Sequence, residues 1–204
     1  MAANAQSIIL HQYDISPFSE KVRVVLGIKG LDWFACDEPV IMPKPELTAL
    51  TGGYRKIPVM QIGADIYCDS QIIIRELERR FPSPSIHAGS DNGTGWGIAM
   101  WTDRVLFQAA VAIIFGGGTP LADEAFIKDR EKLTGRPFDI EGMKAAAPMM
   151  AEQFRAQLVR QAGAAGLGGP GTQRGGAIAQ PGGRVTAPVP YTHSTLPTTY
   201  SVAV

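Results

Sequence analysis

The stretch Tyr13-Asp14-Ile15-Ser16-Pro17-Phe18-Ser19-Glu20-Lys21-Val22-Arg23 joins two patterns of different period. Before it, Ile8, Ile9 and Leu10 form a short apolar run ending at Tyr13, which reads as a buried strand. Within it, Ser16 stands as an N-cap ahead of a proline at the first helical position. From Phe18 onward, Val22, Val25 and Leu26 recur at helical spacing up to Lys29, and Gly30 supplies a stop. Strand, cap and helix in direct succession predict an α/β unit whose first helix opens at the end of its first strand. Such a helix start presents unpaired backbone N–H groups and the positive end of the helix dipole.

Working outward, Trp33 to Cys36 reads as a second strand, and a short helix fits Pro45 to Leu50 before the loop Thr51-Gly52-Gly53. Pro58 to Ile62 and Asp65 to Cys68 flank Gly63-Ala64, the pattern of a hairpin with a glycine-led two-residue turn. Asp69-Ser70 can cap a helix through Ile73, Ile74, Leu77 and Phe81 that stops before Pro82. The predicted order is strand, helix, strand, short helix, hairpin, helix. Ser83 to Asn92 is polar, carries Pro and Gly, and reads as a linker. Helical periodicity then returns over about Gly95 to Phe115, Leu121 to Leu133 and Ile140 to Arg160, broken by Gly116-Gly117-Gly118 and Gly135-Arg136-Pro137. Trp96, Trp101 and Phe107 fall at helical spacing and read as core rather than site residues.

From about Gln161 to Val204 the composition changes. This part is rich in Gly, Pro, Thr and Ala, has no acidic residue, and carries only Arg174 and Arg184 as charges. Low charge with scattered Pro and Gly makes a poor core, so disorder is the expectation. Three regions result: 1–83 an α/β domain, 92–162 a partial helical domain, and 163–204 a low-complexity tail. The abrupt change also reads as a shifted reading frame, or an equivalent truncation, of a longer coding region.

The 204 residues are 45% hydrophobic, with 19 basic against 19 acidic residues. That balance gives no global field toward nucleic acid or an anionic membrane. The start lacks a basic cluster followed by a long apolar run, and Ala109 to Phe115 is too short to span a bilayer. Cys36 and Cys68 make neither a disulfide scaffold nor a spaced metal site, and His11, His87 and His193 show no metal spacing. The expectation is a soluble cytoplasmic protein with reduced thiols, no metal and no organic cofactor.

Three motifs, the stretch quoted above, Lys56-Ile57-Pro58-Val59-Met60 and Tyr67-Cys68-Asp69-Ser70-Gln71, stand in this order at the three element junctions. As a set they resemble the N-terminal domain of the glutathione transferase superfamily, closely over Ser7 to about Phe81 and loosely to about Arg160. The resemblance implies a thioredoxin-like domain followed by an incomplete all-α domain, with glutathione as co-substrate and a small electrophile as second partner. It implies that Ser16 stabilises the glutathione thiolate, the nucleophilic form of a thiol. Tyr13 and Ser19 are its rivals, and an ordinary N-cap serine is the bland alternative. Relatives that exchange thiols carry cysteine where this chain has Ser16, and serine cannot form a mixed disulfide. It further implies that Ile57-Pro58 is a cis bond exposing the Ile57 backbone to the cysteinyl part of glutathione. Asp69 and Ser70 would hold the γ-glutamyl end, since helix starts favour anions. Lys44 is a candidate for the glycyl carboxylate, as is Lys56. A homodimer is expected from the family alone. The family's helical domain contains a Ser/Thr-x-x-Asp capping box that is not found after Arg160. Two other readings therefore stand beside the enzyme: a non-catalytic binding module of the same fold, or a nonfunctional truncated product.

Overall fold

The computed structural model describes residues 7–87 and 92–164, so the stretch from 165 onward, nearly all of the predicted tail, lies outside the described residues. The chain divides into two units, one reaching Ile86 and the other beginning at His87.

In the first unit the elements occur in the predicted order. They are β1 (Ile8–Gln12), α1 (Pro17–Ile28), β2 (Trp33–Asp37), α2 (Pro45–Thr51), β3 (Val59–Ile62), β4 (Asp65–Cys68) and α3 (Ser70–Arg80). The four strands form one mixed sheet in the order β2-β1-β3-β4. β1 runs parallel to β2, with Gln12 opposite Asp37, and antiparallel to β3, with His11 opposite Val59. β3 and β4 form the hairpin, turning at Gly63 with φ 62°. The strand-to-strand return from β1 to β2 is parallel and so needs the α1 crossover between them.

The core forms where period-2 and period-3.6 apolar positions meet. Leu10, Val59 and Met60 from the sheet, Val22 and Leu26 from α1, Leu47 from α2, and Ile73 and Leu77 from α3 are fully buried. Each such leucine contributes on the order of 2–3 kcal/mol by leaving water.

Two polar clusters tie helices to neighbouring segments of the first unit. Lys29 ends α1, and its ammonium, with no side-chain exposure, pairs with Glu78 of α3 at 2.6 Å. It also donates to the carbonyls of Phe81 (2.6 Å) and Pro84 (3.0 Å). Across the hairpin, Glu76 accepts from Arg79 (2.8 Å), Arg80 (2.6 Å) and the Tyr67 hydroxyl (3.1 Å). The Arg79 hydrogen bond foremost, then those of Arg80 and Tyr67, outweigh burial and hold the Glu76 carboxyl at about 2, against an ordinary 4.5. Burial works against the charged form of Glu78, but hydrogen bonds from Lys29, Ser85 and Ile86 keep it below the ordinary value too. Both shifts are downward, so these carboxylates contribute stability above pH about 4.5 that is lost as pH falls toward about 2. The urea midpoint should fall steadily across that window, and Glu76→Gln should flatten the fall. An unchanged slope in that variant would mean that Glu76 is not linked to folding.

The second unit is helical: α4 (Asn92–Trp101), a five-residue π-helical turn (Thr102–Leu106), α5 (Phe107–Gly116), α6 (Glu124–Thr134) and α7 (Ile140–Ala164). The single helix expected over 95–115 is therefore interrupted by a wider turn, which leaves the apolar spacing on either side intact and escapes a periodicity reading. The apolar stretch Ala109–Phe115 also proves part of a longer element. Gly93–Gly116 gives 24 continuous helical residues, long and apolar enough to cross a membrane by length and composition alone. Asp103 and Arg104 sit at its midpoint, where a charge in a bilayer costs roughly 2.5–3.5 kcal/mol. α6 and α7 are capped by aspartates: Asp123 accepts from the Phe126 N–H (2.7 Å) and Asp139 from the Gly142 N–H (2.8 Å). α7 packs along α5 so closely that a Cβ on Gly116 would lie 2.6 Å from the Met143 carbonyl oxygen. Phe115, Phe126 and Phe138 stack at centroid separations of 5.0–6.0 Å, joining α5, α6 and the loop before α7. Among the described residues of this unit only Leu106 and Ala109 are buried apolar side chains, while Met100, Ile114, Met149 and Val159 are exposed.

Candidate functional site

Register alone gathers the three motifs. Gln12, Asp37, Val59 and Cys68 mark one end of the sheet. The start of α1 after β1, the Ile57-Pro58 approach to β3, and the start of α3 after β4 therefore all lie at that end.

Ser16 is the N-cap of α1, as its sequence position predicts. Its Oγ accepts from the Ser19 N–H at 3.2 Å, and its own N–H donates to the Tyr13 carbonyl at 3.0 Å. Ser16 is 2% exposed. Its hydroxyl still carries a proton to donate, at the positive end of the α1 dipole. Ser19 is fully buried, and its Oγ has no hydrogen-bond partner among the described residues. The loop between β1 and α1 is held from beneath by Arg23. That buried guanidinium donates to the Gln12 side chain and to the Asp14 carbonyl (2.9 Å), and pairs with Glu20 (2.6 Å). Gln12 in turn donates to Asp37 at 2.7 Å, tying the loop to the end of β2.

The Ile57–Pro58 bond is cis, in accord with the resemblance; Ile57 is half-buried and Pro58 buried. Asp69 caps α3, accepting from the Gln71 N–H at 2.8 Å. Its φ is 81°, and it is the sole non-glycine residue with positive φ among the described residues. An L-residue held there costs of order 1–3 kcal/mol, and such residues cluster at ligand sites. Asp69 is exposed while Ser70 is buried at the first turn of α3. Tyr54, which no sequence motif singles out, stands near this pair. Burial first, then the Asp69 carboxylate and Cys68, push its phenol up to about 12, so it stays a hydrogen-bond donor.

Lys44 sits at the N-terminus of α2, buried, with its ammonium donating to the Pro39 carbonyl and lying 5.2 Å from the centroid of the Tyr13 ring. It is beside the β1–α1 loop, but turned inward, and reaching a carboxylate requires exchanging the Pro39 bond. Lys56 is exposed. Neither cysteine is poised as a nucleophile. Burial, with Glu38, Glu46 and Asp37 adding to it, pushes Cys36 up to about 11, and burial with Asp69 raises Cys68.

The geometry defines a thioredoxin-like domain with two helix starts and the cis Ile57–Pro58 approach to β3 at one sheet end, and a helical unit after it in the chain. Residues 10–85 match the family described as glutathione S-transferase, N-terminal domain. A GST-like protein from Pseudomonas syringae is 31% identical, over 87% of this chain and 80% of that one, with a TM-score of 0.51. The chain belongs to the glutathione transferase superfamily. A probable glutathione S-transferase of Solanum tuberosum is 32% identical over 71 residues, which is 35% of this chain and 33% of that one. The chain spans between 33% and 39% of the length of the curated relatives it matches. The fold is shared with a glutathione S-transferase of Ceriporiopsis subvermispora solved in complex with glutathione, at 18% identity and a TM-score of 0.55, covering 79% of this chain and 75% of that one.

Proposed function

We propose that this chain binds glutathione at the sheet end shared by α1, β3 and α3, and turns its thiol on a small electrophile. The observation that carries the reading is Asp69. A strained, exposed carboxylate caps a helix start, beside a buried serine and a protonated tyrosine, where a zwitterionic ligand end finds both charge partners. In this proposal Asp69 faces the γ-glutamyl ammonium. Ser70 and the α3 amides hold its carboxylate, the Ile57 backbone pairs with the cysteinyl unit as an added strand would, and Lys44 serves the glycyl carboxylate. The Ser16 O–H donates to the thiolate. The sulfur forms a bond to the electrophilic carbon, the leaving group departs with its electron pair, and the thiol proton passes to solvent. The reaction needs glutathione as co-substrate, and neither a metal nor an organic cofactor takes part in it. We place the protein in the cytoplasm, in detoxification chemistry, and as a homodimer on the family's pattern.

Binding is the step to test first, by calorimetric titration with glutathione and by the upward shift of the unfolding midpoint, since a ligand of the folded form stabilises it by RT ln(1 + [L]/Kd). Asp69→Gly removes the cap but relieves the strained φ, so stability should change by less than about 1 kcal/mol. Glutathione affinity should nonetheless fall at least about tenfold, since a hydrogen bond to a charged group contributes about 1.5–3 kcal/mol. Unchanged affinity in a folded Asp69→Gly protein would remove Asp69 from the site.

A second reading, a glutathione-binding module without turnover, draws on the exposed Met100, Ile114, Met149 and Val159 in the helical unit. Binding without conjugation of an aryl halide would favour it.

A further inference from the structure

β1 and β2 are parallel with His11 directly opposite Cys36. Because side chains alternate along a strand, Gln12 and Asp37 turn to the face where Arg23 lies, and His11 and Cys36 turn to the other. Glu38 continues the ladder, its N–H donating to the Gln12 carbonyl at 2.7 Å, and so returns to the face of Cys36. His11 Nδ1 and Glu38 Oε1 are 3.0 Å apart. The donor atoms of His11, Cys36 and Glu38 all lie within 4.8 Å of one another. His11 is 7%, Cys36 9% and Glu38 8% exposed.

A hydrogen-bonded histidine–glutamate pair accounts for only part of this. The second ring nitrogen, His11 Nε2, is buried with no hydrogen-bond partner among the described residues. Glu38 brings a carboxylate into the interior, where charge is costly unless paired. Glu46 and Asp37 lie close enough to act on the Cys36 thiol, so the local field favours a cation.

We propose that His11, Cys36 and Glu38 bind a divalent transition-metal cation of the zinc type, through one nitrogen, one sulfur and one oxygen, with water in the fourth position. Zinc accepts this donor set at about 2.0–2.3 Å, so ligands around one ion stand roughly 3.3–3.7 Å apart in a tetrahedron. Donors already within 4.8 Å need only small side-chain rotations to close on it. Thiolate and imidazole select against magnesium and calcium, which prefer all-oxygen sets. The ion would staple the adjacent ends of β1 and β2, and as a ligand of the folded form it would stabilise that form. The site is separate from the groups assigned to glutathione, and its test does not use glutathione.

The test is titration of the fully reduced full-length chain with cobalt(II), a spectroscopic stand-in for zinc, and then competition with zinc. One cobalt per chain is expected, with a near-ultraviolet sulfur-to-cobalt charge-transfer band that zinc abolishes. Cys68→Ser should keep the band and Cys36→Ser should lose it, these being the two thiols of the chain. His11→Gln and Glu38→Gln should each weaken cobalt binding at least tenfold while remaining folded by circular dichroism. If Cys36→Ser does not fold, zinc protection of Cys36 from alkylation in the unaltered protein, read by mass spectrometry, takes its place. No band in the unaltered protein, a band that depends on Cys68, no protection of Cys36, or unchanged affinity in both His11→Gln and Glu38→Gln would overturn the proposal.

Discussion

Ser16→Ala should lower the turnover of glutathione with an aryl halide by about 10- to 100-fold while changing the KM for glutathione only a few-fold. The size comes from removing a hydrogen bond to a charged sulfur, about 1.5–3 kcal/mol, at 1.4 kcal/mol per factor of ten. The effect belongs to kcat because the bond is made to the thiolate, and the bound thiol's pKa should rise by about 1–2 units. The same variant loses the cap on the Ser19 N–H, at about 1 kcal/mol of stability, so lost activity alone would be ambiguous. Ser16→Asp separates the two roles. Its carboxylate retains the cap and so the stability, but its charge repels the thiolate, and turnover should fall at least as far as in Ser16→Ala. Tyr13→Phe is the companion variant, since Tyr13 is half-exposed on the same loop whereas Ser16 is 2% exposed. Full turnover in Ser16→Asp, or a larger loss in Tyr13→Phe than in Ser16→Ala, would move the thiol-activating role away from Ser16.

Lys29→Met should destabilise the first unit by about 3–5 kcal/mol, the range for breaking a buried ion pair by removing one partner. The lysine ammonium is wholly enclosed, and its loss strands Glu78 and two carbonyls that it now serves. A second change, Glu78→Leu, should recover part of the loss by removing the orphaned carboxylate. Urea unfolding of the two variants and the double variant measures this directly. A loss under about 1 kcal/mol for Lys29→Met would show that the pair behaves as an exposed one.

The sequence made the local features of this fold readable and hid the long-range ones. Ser16-Pro17 announced a helix start, Gly63-Ala64 a hairpin, and Asp69-Ser70 a cap, because each acts on its own neighbours within three residues. The order of elements came from these, and the thioredoxin-like fold class from the resemblance that the three motifs carry as a set. The His11, Cys36 and Glu38 grouping was not legible, because it depends on parallel pairing across an intervening helix, and the separation of 27 residues between His11 and Glu38 matches no spacing rule. Nor was Lys29, which looks like any basic residue at a helix end until Glu78 and the Phe81–Pro84 carbonyls close around it. The left-handed φ of Asp69 carries no sequence mark, since aspartate is an equally good cap in ordinary backbone. Tyr54 escapes a sequence reading for a similar reason: it lies in a loop, and only the fold brings it beside Asp69.

The π-helical turn at Thr102–Leu106 bears on how this helical unit tolerates changes in chain length. A wider turn of this kind holds about one residue more than an α-turn, much as a spliced-in residue would. Removing a single residue between Thr102 and Leu106 would let the helix close into ordinary α geometry without breaking it. Four residues at about 100° each would then cover nearly the angle that five cover now, so the side chains downstream would keep their faces. Gly116 would stay at the crossing, where it lets the α7 backbone approach. The same deletion within α5 has no wide turn to absorb it: it would swing everything after it by about 100° and break the fit to α7.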